Sequence, residues 1–334
     1  MAMTKSDTPN YRGQLFTTAY QYNPFLAAVL ANGSKFGPFT YAETVESPVA
    51  AGSQDVVSED DAITGVTPDT AAKTQTTNIC QIQMEGVEVS LKKMAEQYQT
   101  MAGINNAQDP SNPDGLAHQQ VMKLKKIAND MEFSLLQGIF QTDTNTATAS
   151  QTRGITSTVT TNAVAAGSIE LNSNLIDTLM KDMFEAGAPM SRPVAVCSAS
   201  DKQRLDKIYG TQPESRIEGG LNLQKYYTAL GSFEVIYTKH VAANTFLMVD
   251  LDYLYARWNV PDFSQVTQYI ESKGLTGVAV PEMYDIDENG NIFNGLVWIP
   301  KLSTGASVGG WFYSHFGGEY GPETYHGKIT GLTA

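Results

Sequence analysis

Gly305, Ser307 and Gly309 carry the Gly-x-Ser-x-Gly spacing that, at a sharp strand-to-helix turn, presents a serine hydroxyl as a nucleophile. Such a serine needs an acid and a histidine later in the chain. Residues 310–334 offer Glu319, Glu323, His315 and His326, but leave no room for the intervening strands and helices. Glycines crowd this segment, so the spacing reads as a flexible turn. Asp285, Asp287, Asn289 and Gly290 match the first half of a calcium-binding EF-hand loop, yet the twelfth position, where a bidentate glutamate belongs, is Leu296. A hairpin turn is the simpler reading. The histidines His118, His240, His315 and His326 show no metal-ligand spacing, and Cys80 and Cys197 stand far apart with no Cys-x-x-Cys pair. Glu132 is the one carboxylate of its helix with apolar neighbours on both sides; pairing with a basic group across a helix–sheet or subunit contact suits it better than catalysis. No catalytic, cofactor-binding or metal-binding residue is nominated, and the chain does not read as an enzyme.

The segment over residues 115–140 reads as one long amphipathic helix. Ala117, Val121, Leu124, Ala128, Met131, Leu135 and Ile139 recur in alternating steps of four and three, one stripe of a helix about 39 Å long. Lys123, Lys125 and Lys126 form its solvated face or a contact with an acidic neighbour or nucleic acid, with Lys92 and Lys93 a second basic pair. A lone long helix in an otherwise β-leaning chain is a scaffold element, so the sequence speaks more of assembly than of chemistry.

The chain of 334 residues is 42% hydrophobic and 17% charged, enough to bury a core and too apolar for disorder. A net charge of -13 argues against a surface that grips phosphates. The start shows no apolar run of signal-peptide length, and the longest apolar stretch is far short of a membrane span. The reading is a soluble protein in a reducing compartment.

Residues 1–50 read as an irregular arm punctuated by prolines, with a helical candidate at 24–31 and aromatics suited to lying along a partner. Residues 51–100 read as a hairpin-like excursion whose return strand is 79–91, broken at Gly86. It has too few apolar residues for a core of its own and needs a neighbour. A second helix is expected over 174–186, with the stripe Leu175, Leu179, Met183 and Gly187 as its cap, then a buried strand at 193–197. Ser200 with Gln203 suggests a capping box opening a third helix. Residues 210–220 read as a loop. Strands are expected at 233–237, 246–249 and 253–258, and a hairpin over 279–300 turning at Asn289-Gly290. The Gly- and aromatic-rich end shows no clear pattern.

The strand NICQIQMEGVEVS, the helix end KKIANDMEFSLLQG and the TRGI that follows at residues 152–155 resemble the HK97-type major capsid proteins of tailed bacteriophages, in their SU10-like branch. The resemblance implies an α+β fold: an N-terminal arm (1–47), an extended β-hairpin E-loop (48–100), and a peripheral domain (101–165) with a spine helix at 113–141. An axial domain (166–280) would follow, then C-terminal strands returning to the peripheral domain plus a tail (281–334). It implies a subunit that assembles with itself into hexamers and pentamers and an icosahedral shell around double-stranded DNA, without sequence-specific binding or a cofactor. Scaffolding protein would be a separate chain, since only some fifty residues precede the excursion; portal and decoration proteins are further partners. The place is the virion, after assembly in the host cytoplasm. Two alternatives stand beside it. One is an encapsulin-like compartment shell. The other is a carbohydrate-binding surface module stacking sugars on Trp311, Phe312, Tyr313, Phe316, Tyr320 and Tyr325.

Overall fold

Pro24, at the first helical position, opens α1 (Pro24–Asn32), and Gly33 ends it with a φ of 129°. Phe25, Leu26, Ala28 and Val29 are buried, so the arm is anchored to the body at this point. The computed structural model describes residues 23–47, 56–65, 72–92, 116–210, 215–218, 221–259, 282–283, 295–300 and 305–333. The reading of the arm as irregular gives way to two strands. β1 (Ser34–Phe36) joins a sheet, and β2 (Thr40–Ser47) pairs antiparallel with β3 (Ala72–Ile79), with the short helix α2 (Glu59–Thr64) lying between them in sequence. The hairpin legs are therefore β2 and β3. The strand expected at 79–91 is a separate element, β4 (Gln81–Ser90), which runs through Gly86 without a break. A Cβ there would stand 3.1 Å from the Trp311 ring, a tight contact that glycine avoids.

The long helix is α3 (Leu116–Gln137). Ile127, Met131, Leu135 and Leu136 are fully or almost fully buried, with Leu124 and Ala128 packed against them, each large side chain contributing about 1.5–3 kcal/mol of burial. The helix stops short of Ile139, which is 72% exposed. After it come the single turn α4 (Ile155–Thr158), β5 (Ala163–Ala165) and α5 (Ser173–Glu185). Helix α5 matches its expected stripe and its Gly187 cap, where φ is 86°. Then come β6 (Pro193–Cys197) and α6 (Ala199–Tyr209). The cap of α6 is Ser198, two residues earlier than expected: its hydroxyl accepts from Asp201 N and donates to Asp201 Oδ2. The segment expected as a loop holds β7 (Ser215–Glu218), followed by β8 (Leu221–Thr228), β9 (Gly231–Tyr237), β10 (Thr245–Asp250) and β11 (Tyr255–Asn259). The hairpin expected over 279–300 has its ends in place, β12 (Glu282–Met283) against β13 (Val297–Pro300); its Asn289-Gly290 turn lies outside the described residues.

The unpatterned end is in fact ordered strand. β14 (Ser307–Glu319) is the longest described strand, and β15 (Gly327–Thr330) follows it. β14 lies at the centre of a six-stranded sheet, with β4 along one edge and β13 and β11 sharing the other; β12 and β1 extend it outward. Its glycines hid it, since glycine is a poor strand former. They are required by close approach: a Cβ on Gly309 would sit 2.1 Å from Val87 O, and one on Gly310 would meet the Trp298 ring at 2.5 Å.

The second sheet has seven strands in the order β5-β15-β10-β6-β9-β8-β7. It stands between two cores because its strands alternate. Val194, Val196, Leu247 and Val249 face α1, α3 and the six-stranded sheet, while Ala195, Cys197, Phe246 and Met248 face the core built on α5 and α6. The C-terminal segment therefore divides, with β13 and β14 in one sheet and β15 in the other. Among the described residues no helix is long and apolar enough to cross a membrane.

Both thiols are inert by burial. Cys80 is pushed up to about 12 and Cys197 still further, chiefly by desolvation. Neither should react with an aromatic disulfide reagent in native protein during the time in which both react in urea. Rapid native labelling of either would show that its strand opens locally.

Candidate assembly interface

The β2–β3 hairpin leaves the body from one small, densely bonded root. Gly318 O accepts hydrogen bonds from both legs, from Tyr41 OH on β2 at 2.6 Å and from Asn78 Nδ2 on β3 at 2.9 Å. The other end of the Asn78 amide accepts from Ile79 N and Arg153 N, each at 2.9 Å, which ties in the loop after α3. Asn78 is buried, and a buried amide that satisfies three backbone groups holds them in one geometry. Around this node Glu319 bridges Lys35 (2.5 Å) and Arg257 (2.7 Å), and the Arg257 guanidinium lies 4.6 Å from the centre of the Tyr41 ring. Glu43 on β2 accepts from Tyr320 N at 2.8 Å. Burial pushes its carboxyl up to about 7, with Glu319 adding to the rise and the Tyr320 amide, Lys35 and Arg153 opposing it.

Beyond the root the described residues of the hairpin form no core. The described side chains over 73–77 and 56–65 are all exposed, including Val56 at 82% and Ile63 at 76%. Ser58 caps α2, whose first turn carries Glu59, Asp60 and Asp61.

On the body, Glu85 of β4 is clamped by Lys123, at 2.8 Å, and Lys126, one turn apart on α3. Burial pushes the Glu85 carboxyl up, but the two ammonium groups outweigh it and hold it below its ordinary value. Two of the three lysines read as a solvated face or a contact with an acidic neighbour, Lys123 and Lys126, thus tie α3 to the six-stranded sheet.

The remaining sequence candidates separate. Ser307 begins β14 and donates to Glu88 Oε1 at 2.6 Å; it occupies no strand-to-helix elbow. His315 stands eight residues further along the same strand, about 26 Å away, bonded to Asn259 and Tyr313. His326 is fully buried between Tyr320 O and Asp250 N, and burial depresses it to about 4. Asp285 to Gly290 and the His118 side chain lie outside what the structure describes. His240 donates its amide to Thr238 and edges onto Phe133. Among the described residues no three His, Cys, Asp or Glu gather at one point. Glu132 is fully buried, but its partners are neutral: Leu26 N at 3.1 Å and Thr238 Oγ at 2.5 Å. The expectation of a basic partner within the subunit is corrected. Phe312 and Phe316, offered as sugar platforms, are core residues of the strand that holds the sheet together, and Tyr320, just past its end, is buried in the same core.

The profile of the SU10 major capsid protein family matches residues 2–274. The chain belongs to the SU10 major capsid protein family. It is a structural protein, a major capsid protein of a tailed phage, and not an enzyme. Among solved structures this capsid protein is similar in fold to the cyanophage A-1(L) capsid asymmetric unit, at 13% identity and a TM-score of 0.63, covering 100% of this chain and 99% of that one. It is also similar to the capsid of a native GTA particle, at 10% identity and a TM-score of 0.53 with 98% of each chain covered. A third likeness is to Mycobacterium phage Adephagia, at 11% identity and a TM-score of 0.51, over 100% of this chain and 99% of that one. A comparison with curated proteins finds no match. Shell self-assembly and a place in the virion follow from the family. The root role of Tyr41, Glu43, Asn78 and Gly318 was not foreseen from the sequence; a lone polar residue gains its meaning there only from the distant group it meets.

Proposed function

We propose that this capsid protein forms hexamers and pentamers that close into an icosahedral head enclosing double-stranded DNA, assembled in the host cytoplasm with scaffolding, portal and decoration proteins as partners. The observation that carries the reading is the hairpin. It is firmly rooted at Gly318 and Asn78, yet leaves Val56, Val57 and Ile63 exposed beyond the root, so it is built to be completed by a neighbouring subunit. In this reading residues 1–47 are the arm, whose last strand β2 also serves as the first leg of the hairpin, and 48–100 the E-loop, with β3 as the second leg and β4 returning to the body sheet. Residues 101–165, with the spine helix at 113–141, form the peripheral domain, 166–280 the axial domain, and 281–334 the closing strands and tail. Contacts of this head-to-tail kind close into rings, and small changes at them set curvature. A net charge of -13 lets packaged DNA move without adhering to the wall.

Negative-stain microscopy of the purified protein, with its mass by light scattering, tests this. Rings or shells are expected, alone or with a scaffolding protein added. A species of 36.3 kDa that stays monomeric under both conditions would overturn the proposal.

A further inference from the structure

Helix α1 is capped by a side chain from another helix. Asn23, just before it, makes no side-chain cap, and the first-turn amide of Leu26 instead donates to Glu132 Oε2 on α3. The second oxygen, Oε1, takes the hydroxyl of Thr238, just after β9, which itself accepts from His240 N. One buried carboxylate therefore joins the arm helix, the long helix and the turn after β9. Its surroundings are apolar: Phe25, Leu26, Met131 and Leu135 are all buried.

The geometry points to Glu132 as a proton-sensitive latch that holds α1 on the subunit body, tight when its carboxyl is protonated and loosened when it is ionised. The Thr238 hydroxyl can accept as well as donate, so it can receive the carboxyl proton while Leu26 N keeps its acceptor. Helix α1 brings no titratable side chain to the site. The other titratable groups packed around it are Glu234 on the same face of β9 as Ile236, Lys239 and His240 beyond Thr238, and Tyr320, whose hydroxyl donates to Leu135 O. Among the described residues no charged group offsets the Glu132 charge. Burial pushes it up from 4.5 to about 7, against the opposing pull of Thr238 and the α1 amides. A raised carboxyl stabilises the docked state fully below about 4.5, and that contribution is lost as pH rises through about 7.

Hydrogen exchange of the α1 amides in the full-length, unassembled chain tests the latch, after correction for intrinsic rates. Because no shell is needed, its failure is separable from failure of the assembly proposal. With the shift stated, protection of α1 in the wild type should fall about tenfold between pH 6 and pH 8. Glu132→Gln, a permanent mimic of the protonated acid, should hold high protection at both pH values. Thr238→Val removes a bond that favours the ionised form, so its pH response should move to higher pH, a shift that simple loosening would not produce. Wild-type protection that ignores pH, a Glu132→Gln variant with the wild-type slope, or an unmoved midpoint in Thr238→Val would each overturn the assignment.

Discussion

Alanine at Gly154 should leave little folded protein. Gly154 N donates to Gly138 O at 2.9 Å, so the chain just past α3 and the chain entering α4 touch backbone to backbone. A Cβ at Gly154 would stand 2.4 Å from Gly138 N and 2.9 Å from both Gln137 N and the Leu136 carbonyl carbon. These are main-chain atoms at the foot of the long helix and cannot rotate aside. Overpacking that side chains can absorb costs about 1–3 kcal/mol, and here the backbone must separate, so about 3 kcal/mol or more is expected. Gly138→Ala meets the same obstacle from the other side, with Thr152 O at 2.4 Å and Ser134 O at 2.5 Å. Soluble yield and the urea midpoint read the effect. A Gly154→Ala protein with a wild-type midpoint would show that the two segments do not meet this closely.

That contact also explains why the family resemblance was legible where it was. The LLQG that ends α3 and the TRGI that follows are the two sides of one crossing, so both glycines are demanded by the fold. Other elements were legible because their information is local. The stripe of α5, the apolar run of β6, the proline that opens α1 and the glycine that closes α5 each announce themselves within a few residues. What escaped depends on partners distant in sequence. β2 is polar along most of its length and becomes a strand by pairing with β3, about thirty residues later. β14 carries four glycines that lower its intrinsic preference, and each is there because something else comes close: Val87 O, the Trp298 ring, Tyr41 OH or Tyr320 OH. Glu132 was noticed for its apolar neighbours, yet its partners, an amide and a hydroxyl each 106 residues away, left no trace in the local pattern. The Ser307 and Asp285 motifs matched short spacings without the elements that would make them chemical.

The second large effect is expected at Asn78, where loss of one amide should cost the subunit stability and its ability to build shells. Leucine at this position keeps the volume and removes both functions. Arg153 N and Ile79 N lose their acceptor, and Gly318 O keeps only Tyr41 OH. An orphaned buried amide costs about 1–3 kcal/mol, so a total near the upper end, about 3 kcal/mol, is expected for Asn78→Leu. Tyr41→Phe removes one donor from a carbonyl that still has Asn78 and should cost about 1 kcal/mol. Asn78→Asp separates the two halves of the amide: the acceptor remains for Arg153 and Ile79, but a carboxylate oxygen now confronts Gly318 O in a buried site. It should be at least as damaging as leucine. Because both hairpin legs hang from this carbonyl, shell yield by microscopy should fall more steeply across the series Tyr41→Phe, Asn78→Leu, Asn78→Asp than the urea midpoint does. Assembly that merely tracks global stability would mean that the root holds the subunit together without aiming the hairpin. An Asn78→Leu protein that forms shells at wild-type yield would remove the root from assembly altogether.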